Sequence, residues 1–261
     1  MDGGMAVSLK KLSPIAIGFV LLIAVWQLAI IVGGHDAALF PPPLKVGEAL
    51  FAIIVDGSVF THIGISLYRF FTGYLTAVIL AVILGLVLGR LPFVWSIIDP
   101  VVQVLRPVSP IAWSPFIVLW FGIGNMPAIV IIFIAAFFPV LLSTVSAVKK
   151  VDKMYLRVAS NFEMGQMELL RKIVLPASFP MIANGLHMAL GSAWIFLVAG
   201  EMVGAQSGLG FLIVDARNSL SLDVVMAGII VIGVLGLLLD RAIRVFEGWV
   251  SKVWGGQTAA H

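Results

Sequence analysis

The 261 residues are 61% hydrophobic and only 11% charged, with a formal net charge of +3 and a mean hydropathy of +1.13. A soluble domain is about 45–50% apolar and about 25% charged, so this chain has too little polar surface to face water and lipid must be its solvent. Cys is absent, which excludes a disulfide framework and Cys-based metal or redox chemistry, and there is no basic arm of the kind that binds nucleic acid.

A helix needs about 20 mostly apolar residues to cross the hydrocarbon core. The first such run, Pro14–Val32, follows Lys10 and Lys11; it is too long for a signal peptide and predicts a retained first span. Phe40-Pro-Pro-Pro43 then forms a stiff entry to an amphipathic stretch, Val46–Val55. Ile65–Leu88 is the second span, closed by Arg90. Val94–Gly122 is apolar but carries Pro100, Pro107, Pro110 and Pro115. Proline removes a backbone donor and breaks helices, so this segment is expected to bend before crossing at Ile111–Gly122. Pro127–Val148, Pro180–Gly200 and Val224–Ile243 complete a set of about six spans. A short outer helix is expected at Phe211–Ser219, after Ser207-Gly-Leu-Gly210.

Lys and Arg set the orientation. Lys10, Lys11, Arg90, Lys149, Lys150, Lys153, Arg157, Arg171, Lys172, Arg241, Arg244 and Lys252 all fall on one side of this scheme, against Lys45 and Arg217 on the other. The cationic side is cytoplasmic, and both termini lie there. The fold class is therefore all-α, a polytopic membrane bundle, read as one transmembrane domain over residues 1–261 without an internal repeat.

The one long cytoplasmic loop covers residues 149–180. Met154–Phe162 and Met167–Val174 space apolar residues three and four apart with Arg and Lys between them, and such faces need a protein surface to cover them. Ser160-Asn-Phe-Glu163 fits a capping box, which makes Ser160–Lys172 a stiff helix, and Leu175-Pro176 is expected to stop it.

Arg157–Pro176 is similar to the cytoplasmic "EAA" loop of binding-protein-dependent ABC importer permeases, whose pattern is Glu-Ala-Ala, three residues, Gly, nine residues, Ile, one residue, Leu-Pro. Aligned on Ile173-Val174-Leu175-Pro176, the chain keeps Ala159 and the Leu-Pro end and places Arg157 and Glu163 at the Glu and Gly positions, with a Gly two residues on at Gly165. Leu105-Arg-Pro-Val-Ser-Pro-Ile-Ala-Trp-Ser-Pro115, Leu119-Trp-Phe-Gly-Ile-Gly124, Ala189-Leu-Gly-Ser-Ala-Trp194, Gly200-Glu-Met202, Ser207-Gly-Leu-Gly210 and Leu237-Leu-Leu-Asp-Arg241 resemble the nitrate, sulfonate, taurine and bicarbonate subfamily. The resemblance covers roughly residues 14–250. It implies the MetI-like fold of type I importers and a homodimer of permeases. It also implies cytoplasmic ATPase subunits that hold ATP and Mg, and a periplasmic or lipid-anchored solute-binding protein. The permease itself would then need no cofactor. The solute expected is a small anion such as nitrate, bicarbonate, taurine or an alkanesulfonate, with a thiamine-precursor-type heterocycle also open. The resemblance marks Val158, Ala159, Phe162, Glu163, Met164, Gly165, Leu169, Leu175 and Pro176 as ATPase-coupling residues, with Glu163 capping the loop helix or pairing with an ATPase cation.

For the path through the membrane, Arg106, Ser109, Trp113 and Ser114 lie on the broken segment, where carbonyls freed by proline can line a polar cavity. Arg106 either attracts an anionic solute there or snorkels to the interface. Arg69 and Glu201 are an expected structural ion pair. Asn184 and His187 suit interhelical hydrogen bonds better than a metal. Gly185, Ala189 and Ala193 suit close helix contact, including contact between copies, and Trp113, Trp120 and Trp194 suit an interface belt. No Gly-rich Lys-Ser/Thr phosphate loop, Gly-x-Ser-x-Gly or His-Glu-x-x-His occurs. That disfavours an ATPase and an intramembrane enzyme. A self-sufficient secondary transporter or channel is the alternative, and it would call for paired repeats and buried carboxylates.

Overall fold

The structure is a computed structural model that describes residues 3–33 and 39–253. Among these, eleven α-helices run in order: α1 (Gly3–Gly33), α2 (Pro43–Val55), α3 (Ser58–Arg90), α4 (Pro92–Leu105), α5 (Ser114–Phe121), α6 (Asn125–Lys149), α7 (Lys153–Asn161), α8 (Gln166–Leu169), α9 (Leu175–Gly204), α10 (Leu209–Asn218) and α11 (Leu222–Val253). Five helical segments are long and apolar enough to cross a membrane, and the bent pair Pro92–Leu105 and Pro110–Phe121, angled by 85°, makes a sixth. The proline-rich third span is broken, as its sequence requires. Pro107 and Pro110 interrupt the donors between α4 and α5, and a 3₁₀ turn, Pro110–Trp113, carries the chain through the corner.

Two compact units emerge from the packing. The first comprises the described residues up to 60 together with 212–231. In it α2 buries Val46, Ala49 and Ile53, the i, i+3, i+7 stripe of an amphipathic helix, and Trp26 meets Phe40 at 6.5 Å. The Asp56 carboxylate accepts the Ser58 N–H at 2.8 Å and so opens α3; that bond holds its pKa below the ordinary carboxylate value.

The second unit, residues 61–211 and 232–253, is built on α3, α6 and α9. Gly73, Ala77, Ala81, Gly85 and Gly89 repeat every four residues along one face of α3, and all five are buried. A Cβ built on Gly73 would meet Ile132 at 2.9 Å, on Gly85 would meet Thr144 at 2.6 Å, and on Gly89 would meet Val148 at 2.7 Å. The register between α3 and α6 is thus constant and parallel. Against α6 on another face lies α9, antiparallel: Gly185 faces Ser143 and Gly200 faces Ala128. Without water to drive apolar faces together inside lipid, close backbone approach at small residues is the main source of helix affinity. The stripe at Gly185, Ala189 and Ala193 therefore serves packing within one chain, where Gly185 sits on α6, and not contact between copies.

At the outer end of this unit sits a buried ion pair. Arg69 Nη1 reaches Glu201 Oε1 at 2.8 Å, with the two side chains 1% and 0% exposed. Arg69 also donates to Asn125 Oδ1 at 2.9 and 2.7 Å and to the Ser207 carbonyl at 2.7 Å and hydroxyl at 2.9 Å. Glu201 accepts from Ser66 Oγ and from the Gly210 N–H at 2.9 Å. Ser66 Oγ in turn accepts the Leu209 N–H at 2.8 Å. Three helices and the turn into α10 are tied at one point. Gly208 has φ +100°, and any Cβ there would strike the Glu201 carboxylate; one on Gly210 would lie 2.5 Å from the Val198 carbonyl. Trp194 is buried, donates to the Ile232 carbonyl at 3.2 Å and packs on Gly236, so it is a packing residue and not part of an interface belt.

Removing one member of a buried pair leaves the other charge unmatched, which costs about 3–5 kcal/mol. Glu201→Gln is therefore expected to lower the thermal midpoint of the detergent-solubilised protein sharply, while Glu48→Gln, an exposed control, leaves it unchanged; thermal unfolding followed by size-exclusion chromatography reads both.

Candidate functional site

Two features outside the packed core have the geometry of working surfaces. The first is a pair of adjoining cavities within the second unit. One, of about 400 Å³, is lined by Arg106, Ser143, Ser146, Met181, Asn184 and Ser192 among others. The other, of about 180 Å³, shares Arg106, Pro139 and Ser192 and adds Pro110, Phe138 and Phe196. Arg106 stands where α4 ends, its N–H still bonded to the Val102 carbonyl at 2.9 Å. Pro139 lies inside α6 and has no N–H to give the Ala135 carbonyl, so this turn of α6 offers a backbone acceptor beside the cavity. Ser143 Oγ donates to the Met181 carbonyl at 2.8 Å and Ser192 Oγ to the Met188 carbonyl at 3.2 Å. Arg106, Ser146 and Asn184 thus supply the cavity's side-chain donors, and among the described residues no carboxylate lines either cavity. One cation among neutral hydrogen-bonding groups favours an anion.

Of the residues expected on the membrane path, Arg106 lines both cavities. Ser109 is exposed, Trp113 half-buried and Ser114 buried, and none of the three lines these two cavities. The polar lining comes from α6 and α9 instead. Its signal was present in the spacing: Ser143 and Ser146 lie three apart, and Asn184, Met188 and Ser192 lie four apart, so each set shares one helix face.

The second feature is the loop between α6 and α9. Asp152 Oδ1 accepts the Met154 N–H at 2.8 Å and starts α7. The helix ends in a left-handed turn: Glu163 has φ +51°, and the Met164 N–H returns to the Ala159 carbonyl at 3.1 Å. That is the closing bond of a Schellman cap with Glu163 at the position glycine usually takes. Ser160 lies within the last turn of α7, so Ser160-Asn-Phe-Glu163 closes a helix and does not form the expected capping box. For the same reason Ser160–Lys172 is not one stiff rod, because the turn at residues 162–165 divides it. Beyond the turn, α8 passes through a π turn, Leu170–Val174, directly into α9. Leu175-Pro176 does not stop the helix. Pro176 cannot donate to the Lys172 carbonyl and its ring crowds that turn; the wider i→i+5 spacing just before it absorbs both effects.

Ala159 is 1% exposed and Leu169 is buried, whereas Phe162 is 76% exposed. Glu163 and Gly165 are exposed, and Met164, Leu175 and Pro176 are half-buried. The side chain of Val158 lies outside the described residues. Met154, Tyr155 and Met167 join Phe162 as large exposed apolar side chains on this loop. His187, expected in an interhelical bond, meets Asp240 of α11 at 2.9 Å and Glu247 at 3.7 Å.

Residues 77–252 match the family of binding-protein-dependent transport system inner membrane components. The chain belongs to this family. The permease is 34% identical over 241 residues to the taurine transport system permease protein TauC of Escherichia coli K12, covering 90% of this chain and 87% of that protein. It is 35% identical to the putative aliphatic sulfonates transport permease protein SsuC of Bacillus subtilis 168 (88% and 84% covered), and 35% identical to the nitrate import permease protein NrtB of Leptolyngbya laminosa (90% and 86%). Its fold matches a chain of the MetNI methionine ABC transporter in an inward-facing conformation, with a TM-score of 0.57 at 18% identity, over 72% of this chain and 97% of that one. The permease is a multi-pass inner-membrane transport component.

The left-handed conformation costs a residue with a Cβ about 1 kcal/mol or more. Glu163→Gly is therefore expected to slow amide exchange at Met164, and Glu163→Val to accelerate it, in hydrogen–deuterium exchange of the purified permease.

Proposed function

We propose that this permease, acting as one transmembrane domain, forms the translocation path of an ATP-driven importer for a small oxyanion of the nitrate, bicarbonate, taurine or alkanesulfonate kind. The observation that carries the reading is the cavity at Arg106, where the described residues supply one guanidinium with Ser146 and Asn184 and no carboxylate. Named relatives that move taurine, aliphatic sulfonates and nitrate support it. A charge at membrane depth costs about 2.5–3.5 kcal/mol on insertion scales, and a passing anion offsets that cost transiently. Neutral groups around it bind weakly enough to let the solute go.

Power comes from a partner that holds ATP and Mg. Phe162, with Met154, Tyr155 and Met167 beside it, presents an apolar surface in the loop between two spans, and such a patch calls for a protein cover. The cover is a cytoplasmic ATPase. Phe162, Glu163, Met164 and Gly165 form the contact, and buried Ala159 and Leu169 hold the loop to its own bundle while Leu175 and Pro176 join it to α9. A solute-binding protein delivers cargo from outside, and a second copy of the permease completes the path.

Reconstituted with these partners in liposomes, Arg106→Gln is expected to cut anion uptake about tenfold or more while ATP hydrolysis persists. Phe162→Ala is expected to lower solute-stimulated hydrolysis by a similar factor, since a central aromatic anchor carries about 2 kcal/mol or more of an interface. Unchanged uptake in Arg106→Gln would remove the cavity from the path.

A further inference from the structure

Arg90 ends α3 at the cytoplasmic margin of its span and separates two clefts of the second unit. One, of about 320 Å³, is lined by Leu86, Val87, Leu91, Gln166, Met167 and Leu170 beside Arg90. The other, of about 280 Å³, is lined by Pro92, Val148, Lys149, Val151 and Val174 beside Arg90. Neither is lined by a carboxylate among the described residues. Arg90 Nη1 is buried and has no hydrogen-bond partner in the structure. Lys149 is exposed at the end of α6 and holds its ammonium 5.2 Å over the Trp95 ring, which fixes a second positive charge beside the same cleft.

A buried guanidinium donor left unmatched is costly, and everything lining these clefts is either apolar, cationic or neutral. The missing partner is therefore an anion with an apolar body. Val87, exposed on the last turn of α3, and Leu91, exposed just beyond it, place apolar surface next to the guanidinium. A guanidinium binds phosphate through two parallel bonds, and the cytoplasmic leaflet is the one rich in anionic headgroups. We propose that an anionic phospholipid binds across Arg90, its phosphate on Arg90 and Lys149 at the second cleft and an acyl chain along Leu86, Val87 and Leu170 in the first. Because Met167 and Leu170 line the first cleft, the bound lipid joins the end of α3 to the start of the helix that leads into α9. The assignment rests on the orientation read from Lys and Arg, and on neither the solute nor the ATPase.

Native mass spectrometry of the full-length permease, titrated separately with phosphatidylglycerol, phosphatidylcholine and inorganic phosphate, tests it. Phosphatidylglycerol is expected to bind about tenfold tighter than phosphatidylcholine. Arg90→Gln is expected to abolish that preference, Lys149→Gln to reduce it about threefold, and Arg217→Gln, on the opposite side, to leave it intact. Should Arg90→Gln not yield folded protein, the contrast between Lys149→Gln and Arg217→Gln decides. Equal binding of the two lipids, or a preference that survives both Arg90→Gln and Lys149→Gln, overturns the proposal. So does inorganic phosphate that displaces phosphatidylglycerol at equal concentration, which would mark a site for the free anion. Loss of a co-purifying ATPase from Arg90→Gln with the lipid preference unchanged also overturns it, by giving Arg90 a protein carboxylate for a partner.

Discussion

Arg69 and Glu201 form the contact on which the outer half of the second unit depends. Each charge would be prohibitive alone in a dry interior, and together they are tolerable only because Asn125, Ser66, Ser207 and the backbone of Gly210 satisfy the remaining donors and acceptors. This requirement explains the glycines. A side chain on Gly208 or Gly210 would occupy space the carboxylate and its neighbours already fill, so the turn into α10 has to be nearly bare backbone. What reads in sequence as a flexible Ser-Gly-Leu-Gly run is a fixed fitting.

The rest of that unit follows the same economy of small residues. The α3 stripe from Gly73 to Gly89 brings backbone against α6, and Gly185 and Gly200 do so from α9. With three helices held this closely, polar side chains on the outer faces of α6 and α9 are free to line a cavity, and Arg106 is brought to it by the bend after α4. A rigid core and a broken span thus divide the work: one sets distances, the other delivers charge.

The spans, the break at Pro107 and Pro110, and the partnership of Arg69 with Glu201 were all legible in the sequence. Hydropathy, proline chemistry and the high cost of a lone buried charge each leave few alternatives. The loop was harder. Ser160 and Glu163 have the spacing of a capping box, but that spacing is equally consistent with the last turn of a helix, and only the backbone at Glu163 separates the two. Pro176 reads in sequence as a stop because proline ordinarily removes a helical bond; a π turn supplies the extra width that lets the helix continue. Trp194 and Gly185 show a similar limit, since an aromatic or a small residue in an apolar helix suits lipid, a neighbouring helix or a second copy equally well. Ser143 and Asn184 do not stand out in sequence as cavity residues, because serine and asparagine in a span more often bond a helix backbone, as Ser143 also does.

The π turn has a mechanical consequence. It takes in one residue more than an α turn, so the side chains before and after it are out of phase by about 100° around the axis. The junction between the loop and α9 therefore carries a fixed phase offset: the face with Asn184 and Ser192 is turned by that angle from where an unbroken α-helix running on from α8 would place it.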